Sequence, residues 1–138
     1  MPILREDRDI KEALASCKNI CVVGISPDPY KPSYFVSDVL QSRGFKLFLV
    51  NPNYAGRTIL GEKVYASLDD VPDKIDIIDV FRRPSAVAAL AEEAVRKGFK
   101  VVWMQPGEQG QEPIVKLERQ GYRVVAGRCA KIESARLL

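Results

Sequence analysis

The sequence contains no histidine at all. A Ser-His-Asp triad, an imidazole metal ligand and phosphohistidine chemistry are thereby excluded, and acid–base work would fall to carboxylates, lysine, tyrosine or cysteine. Cysteine is scarce: Cys17, Cys21 and Cys129 are the 3 present, and none stands at a CxxC or zinc-ligand spacing. So small and odd a set points to a reducing compartment. No apolar run approaches the ~18 residues of a membrane-spanning helix, and the opening MPILREDRDIKEAL lacks the apolar core of a signal peptide. An excess of one charge is missing too. The 21 Lys and Arg stand against 18 Asp and Glu, a net +3, too slight for sequence-blind binding to a phosphate backbone. These absences lead to the expectation of a cytoplasmic protein with no nucleic-acid partner, no membrane partner and no metal site.

What is present suits one globular domain over residues 1–138: 46% of residues are hydrophobic and 28% charged. A short phrase recurs at Gly44-Phe45-Lys46-Leu47, Gly98-Phe99-Lys100-Val101 and Gly121-Tyr122-Arg123-Val124. Each follows an amphipathic run and opens an apolar one, the chemistry of a helix closed by glycine and followed by a strand. Asn19 to Gly24, Lys46 to Val50, Ile75 to Val80, Val101 to Met104 and Arg123 to Ala126 read as strands of a parallel sheet covered on both faces. A weaker edge strand is expected at Lys63 to Tyr65. Helical periods precede and separate them. One covers Asp7 to Ser16. A second is capped by Ser33, with Val36, Val39 and Leu40 inward and Asp38, Gln41 and Arg43 outward. Two more begin at Pro84 and Pro113. The alternation predicts an α/β fold, an open doubly wound, mainly parallel sheet of five to six strands flanked by helices. Ligands of such sheets lie at the carboxyl ends of strands, so the loops after Gly24, Val50, Val80 and Met104 carry the candidate site.

The first of these loops, residues 24–33, lacks the G-x-G-x-x-G fingerprint, because Ile25 and Ser26 follow Gly24, and its three prolines stiffen it. It brings a helix N-terminus, the Ser33 hydroxyl and the Lys31 cation to one place, a set suited to phosphate; a proline-rich surface loop with a routine serine cap accounts equally for the same residues. The second loop opens with Asn51-Pro52-Asn53, where NAD-binding sheets place an acid for the ribose. A simple Asn-Pro turn explains it as well. Arg82 and Arg83, after Phe81 and before Pro84, suit an anion with several oxygens, or pair with surface acids. Gln105-Pro106-Gly107 gives a backbone room to approach a ligand, or connects to the next helix. Trp103 and Cys21 fit the core. Cys129 beside Arg128 has a cationic neighbour, although an inert thiol is the simpler reading.

In this order and spacing the motifs resemble those of the small stand-alone CoA-binding domains, similar in fold to the N-terminal CoA-binding domain of the succinyl-CoA synthetase α subunit. The resemblance rests on Val23-Gly24-Ile25-Ser26, Lys31-Pro32-Ser33-Tyr34, Val50-Asn51-Pro52, Ile78-Asp79-Val80-Phe81-Arg82-Arg83-Pro84, Trp103-Met104-Gln105 and Arg128-Cys129, and it covers nearly the whole chain. It implies a Rossmann-like sheet with coenzyme A at its carboxyl edge. Gly24, Ile25, Ser26, Lys31, Pro32, Ser33 and Tyr34 would meet the nucleotide phosphates. Asn51, Pro52, Phe81, Arg82, Arg83 and Pro84 would line the site, and Gln105 and Gly107 would border the pantetheine arm. Ligase activity does not carry over, since it needs a histidine and a second domain.

The expected function is therefore binding of CoA or acyl-CoA, with no catalytic residues assigned and no reaction identified. Two alternatives stand beside it: an NAD(P)-dependent oxidoreductase-like nucleotide binder, and a thiol switch in which Cys129 forms a mixed disulfide with CoA. A homodimer is compatible with exposed helices and sheet edges.

Overall fold

The protein is described by a computed structural model over residues 6–81, 101–104, 123–126 and 128–138. Its apolar runs become short strands: β1 (Asn19–Val23), β2 (Lys46–Val50), β3 (Thr58–Ile59), β4 (Glu62–Tyr65), β5 (Ile77–Val80), β6 (Val101–Met104) and β7 (Arg123–Ala126). The described helices are α1 (Asp7–Ala15), α2 (Pro32–Ser42) and α3 (Ala130–Leu137). One seven-stranded sheet runs in the order β3-β4-β2-β1-β5-β6-β7. Every pairing is parallel except β3 with β4.

The period of two along each strand sorts side chains onto two faces. Ile20, Val22, Leu47, Leu49, Val64, Ile77, Val101, Trp103 and Val125 join Ile10 and Leu14 of α1, Val36 and Leu40 of α2 and Ala130 of α3 in one core cluster. The alternate residues, Cys21, Val23, Phe48, Val50, Ile78, Val80, Val102, Met104 and Val124, form a second cluster with Leu68, Val71 and Ile75 from the segment between β4 and β5. Burial on both faces explains why β1, β2, β5 and β6 read as nearly continuous hydrophobic runs. Each fully buried aliphatic side chain contributes about 1.5–3 kcal/mol.

The local chemistry explains the boundaries. Pro32 occupies the first turn of α2 and Gly44 follows the helix at φ +98°, the conformation that favours glycine after a helix end. Lys31, not Ser33, is the N-cap residue of α2. The Ser33 hydroxyl is buried and accepts a hydrogen bond from Ser26 N at 3.0 Å, because Pro32 starts the helix two residues earlier than a cap at Ser33 requires. Gln41, expected outward, is half-buried and donates from Nε2 to the Leu60 carbonyl at 2.9 Å.

The weak strand at Lys63 to Tyr65 is not the edge. It lies between β2 and the two-residue β3, joined to β3 by a hairpin through Leu60 (φ +54°) and Gly61 (φ +75°). Two consecutive positive φ values make the tight turn that matches strand twist. β5 begins at Ile77 rather than Ile75: Ile75 is buried beneath the sheet, and Asp76 turns its carboxylate to accept from Lys18 N at 2.9 Å and Asn19 N at 3.0 Å. The helices expected after Pro84 and Pro113, and the junctions at Gly98 and Gly121, lie outside the described residues.

Candidate functional site

From β1 the chain moves to β2 on one side, and from β4 it returns to β5 on the other. The order therefore reverses at β1, and the crevice outside the carboxyl ends of β1 and β5 is where an open α/β sheet takes its ligand. Gly24 leaves β1 at φ +94°, its N–H donating to the Val50 carbonyl at 2.9 Å. Phe81 N–H donates to the Val23 carbonyl, also at 2.9 Å. The ends of β1, β2 and β5 are thus held level, and three segments leave the edge together.

The β1–α2 loop is ordered from within. Ile25 is fully buried in the helix-face core. Ser26 Oγ accepts from Asp28 N at 3.1 Å, Asp28 Oδ1 accepts from Tyr30 N at 3.0 Å, and the Asp28 carbonyl accepts from Lys31 N at 3.0 Å. These bonds and the prolines fix where α2 starts. Lys31 makes no side-chain capping bond to α2, so the positive end of the helix dipole faces the loop without the usual hydroxyl or carboxylate cap. Lys31 and Pro32 are exposed beside it, and Tyr34 is half-buried against the core.

Asn51 joins the second segment to the first. Its Nδ2 donates to the Ile25 carbonyl at 2.8 Å, its Oδ1 accepts from Asn53 N at 3.0 Å, and its backbone N–H donates to the Tyr65 carbonyl at 2.9 Å. Pro52 then enters a 3₁₀ turn, Pro52–Tyr54, in which Pro52 and Asn53 are exposed and Tyr54 is half-buried against the core. No acidic residue occurs from Asn51 to Gly61, where Arg57 lies over the Tyr54 ring at 5.5 Å.

A third contribution comes from the start of α3. Trp103, fully buried on β6, donates its indole N–H to the Arg128 carbonyl at 2.7 Å, which draws the 128–130 segment over the sheet. Cys129 is the half-buried N-cap of α3 and makes no side-chain capping bond. Lys131 Nζ lies 5.5 Å from the Phe35 ring of α2, so the first turns of α2 and α3 stand side by side. Arg128 is also 3.6 Å from the Glu133 carboxylate.

The structure therefore brings Gly24, Ile25, Ser26, Lys31, Pro32, Ser33, Tyr34, Asn51, Pro52 and Phe81 to one edge. Ile25 serves there as part of the core, and Asn51 as a clip to it. Arg82, Arg83, Pro84, Gln105 and Gly107 lie outside the described residues. Asp79, an acid inside an otherwise apolar strand, is a carboxylate fully buried on β5 in register with Val22 and Trp103. Among the described residues no cluster has the composition of a metal site, and no helix is long and apolar enough to cross a membrane.

The sequence model of the CoA binding domain family matches residues 18–135. The chain belongs to that family. Over 127 residues this CoA-binding domain is 35% identical to the uncharacterised protein YneT of Bacillus subtilis strain 168, covering 92% of this chain and 93% of YneT. It is 34% identical over 95 residues to the α subunit of ADP-forming acetate–CoA ligase I of Pyrococcus furiosus, covering 66% of this chain and 21% of that subunit. The chain thus corresponds to about a fifth of the ligase subunit. A solved structure from Thermus thermophilus, cell-free ID.343, superposes with a TM-score of 0.92 at 35% identity, covering 97% of this chain and 100% of its own. A hypothetical protein from Pyrococcus horikoshii OT3 gives 0.90 at 38% identity, covering 96% and 92%. The Rossmann-like sheet implied by the motifs is the fold of this CoA-binding domain.

Proposed function

We propose that this domain binds coenzyme A or an acyl-CoA at the carboxyl edge of β1, β2 and β5, as a cytoplasmic carrier, sensor or reservoir with no catalysis of its own. The observation that carries the reading is the α2 N-terminus. It stands at the reversal of strand order, has no side-chain cap at Lys31, and has the exposed lysine beside it, in a chain of the CoA binding domain family. A pyrophosphate and a 3′-phosphate call for N–H donors and cations. The donor set of this edge fits that need, and the run from Asn51 to Gly61 adds no acid.

In this reading Gly24, Ser26, Lys31, Pro32, Ser33 and Tyr34 border the phosphates. Asn51, Pro52, Phe81, Arg82, Arg83 and Pro84 flank the nucleotide, and Gln105 and Gly107 border the pantetheine arm. Ile25 holds the loop down from beneath. The whole chain acts as one binding unit.

Calorimetric titration of wild type and Lys31→Ala with CoA tests the proposal. Lys31 is exposed and its side chain makes no capping bond, so its loss should leave the melting temperature within about 2 °C while weakening CoA by about tenfold or more, the value of a charge-assisted contact. Equal affinity in the two proteins would remove Lys31 from the site. No CoA binding by wild type would overturn the function.

A further inference from the structure

We infer that Asn51 is a specificity-determining residue, a neutral clip whose lack of charge lets the carboxyl edge accept a nucleotide with a phosphorylated ribose and so favours CoA over dephospho-CoA. The inference rests on the CoA reading above and adds to it the feature of the ligand that is selected.

Asn51 stands directly after β2, beside the carboxyl end of β1. Dinucleotide-binding sheets use this place for an Asp or Glu that accepts hydrogen bonds from free ribose hydroxyls. Here the residue is an amide, and its orientation is fixed by its neighbours. The NH₂ group faces the Ile25 carbonyl at 2.8 Å, and the oxygen faces Asn53 N–H at 3.0 Å. Reversing the amide would oppose oxygen to carbonyl and NH₂ to N–H, so no other placement satisfies both contacts.

Two properties follow. The amide ties the 51–53 turn to the β1–α2 loop at Ile25, one residue before Ser26, whose N–H is held by Ser33. An aspartate in the same place would lose the bond to Ile25 and set a carboxylate oxygen against that carbonyl. The second property is charge. The one acid in the β1–α2 loop is Asp28, its Oδ1 receiving Tyr30 N–H, and none occurs between Asn51 and Gly61. A 3′-phosphate near the end of β2 thus meets an amide rather than a carboxylate, whereas a free diol finds no acid to receive its hydroxyls.

The test is calorimetric titration of CoA and dephospho-CoA into wild type, Asn51→Asp and Asn51→Ala, with a thermal melt of each protein. Wild type should bind CoA about tenfold tighter than dephospho-CoA. Asn51→Asp should lose about tenfold or more on CoA and about threefold or less on dephospho-CoA, because the added charge acts chiefly on the extra phosphate. Asn51→Ala removes the clip without adding charge and should weaken both ligands by one common factor. If Asn51→Asp does not fold, Asn53→Asp carries the test: it brings the same charge to the same exposed turn, leaves the Asn51 amide intact, and should again penalise CoA more than dephospho-CoA. An unchanged ratio in the folded aspartate variant, or equal affinities in wild type, overturns the inference while the CoA function stands. Absence of CoA binding in wild type overturns the function itself.

Discussion

Asp76 does at the amino edge of the sheet what Asn51 does at the carboxyl edge. Its Oδ2 receives the N–H groups of Lys18 and Asn19, and its own N–H donates to the Asn19 carbonyl at 3.0 Å, so one carboxylate aligns the starts of β1 and β5. Asp76→Ala would leave one exposed and one part-buried backbone donor without that acceptor, at a cost of about 1 kcal/mol. Because the residue lies at the end of the strands remote from the site, the expected outcome is a lower melting temperature with CoA affinity unchanged, checked by thermal denaturation and titration of the same preparation. Single residues of this kind were only partly legible in the sequence. Cys21 and Trp103 could be placed in the core from strand alternation alone. Asp76 could not, since its role depends on amides 57 and 58 residues away. Ser33 shows the converse: the residue type of a cap was present, but the proline before it had already started the helix.

At the level of elements, the runs that became β1, β2, β6 and β7 were visible because burial on both faces leaves no polar interruption to mislead. The β3–β4 hairpin was harder to see. Its turn is Leu60-Gly61, without the Asn-Gly or Asp-Gly that ordinarily marks two positive φ values, and the Leu60 conformation is supported by packing against the core and by the Gln41 bond to its carbonyl. The joining of α1 to α3 was equally hidden. Arg136 reaches Asp7 through two nitrogens, at 2.8 and 2.7 Å, and also meets the buried Glu133. The hydrogen-bonded guanidinium holds the Asp7 carboxyl below its usual 3.8. A carboxyl whose acidity is increased by folding adds stability above its ordinary pKa, and that stability is lost as pH falls through the folded value. Melting temperature measured from pH 7 to well below 3.8 should therefore fall more steeply for wild type than for Asp7→Asn, with the two curves drawing together at the acid end. Parallel curves would show that the contact contributes nothing to the folded state. The exposure of the pair keeps the expected difference small.

Considered as a whole, the molecule was readable as far as its α/β class and the loops on which a ligand would sit, because those follow from alternation and from the rule placing sites at carboxyl edges. The strand order was not readable: it is set by which strands pair across long stretches of chain, and no local pattern records that. The order predicts a gradient of local stability. β1 and β5 each have parallel partners on both sides, while the two-residue β3 forms the edge. Amide hydrogen exchange should be slowest at Val22 and Asp79 and fastest from Thr58 to Glu62. Uniform rates across the sheet would mean that it opens only as one unit.

Trp103 gives this architecture an optical dimension. It is the only tryptophan in the sequence, its ring is fully buried, and its indole is bonded to the Arg128 carbonyl at the entry to α3. Tryptophan fluorescence therefore arises from a single emitter with a single environment, one residue short of the carboxyl end of β6. The spectrum follows the seating of the 128–130 segment on the sheet, so movement at that edge and loss of the fold can be observed without any attached label.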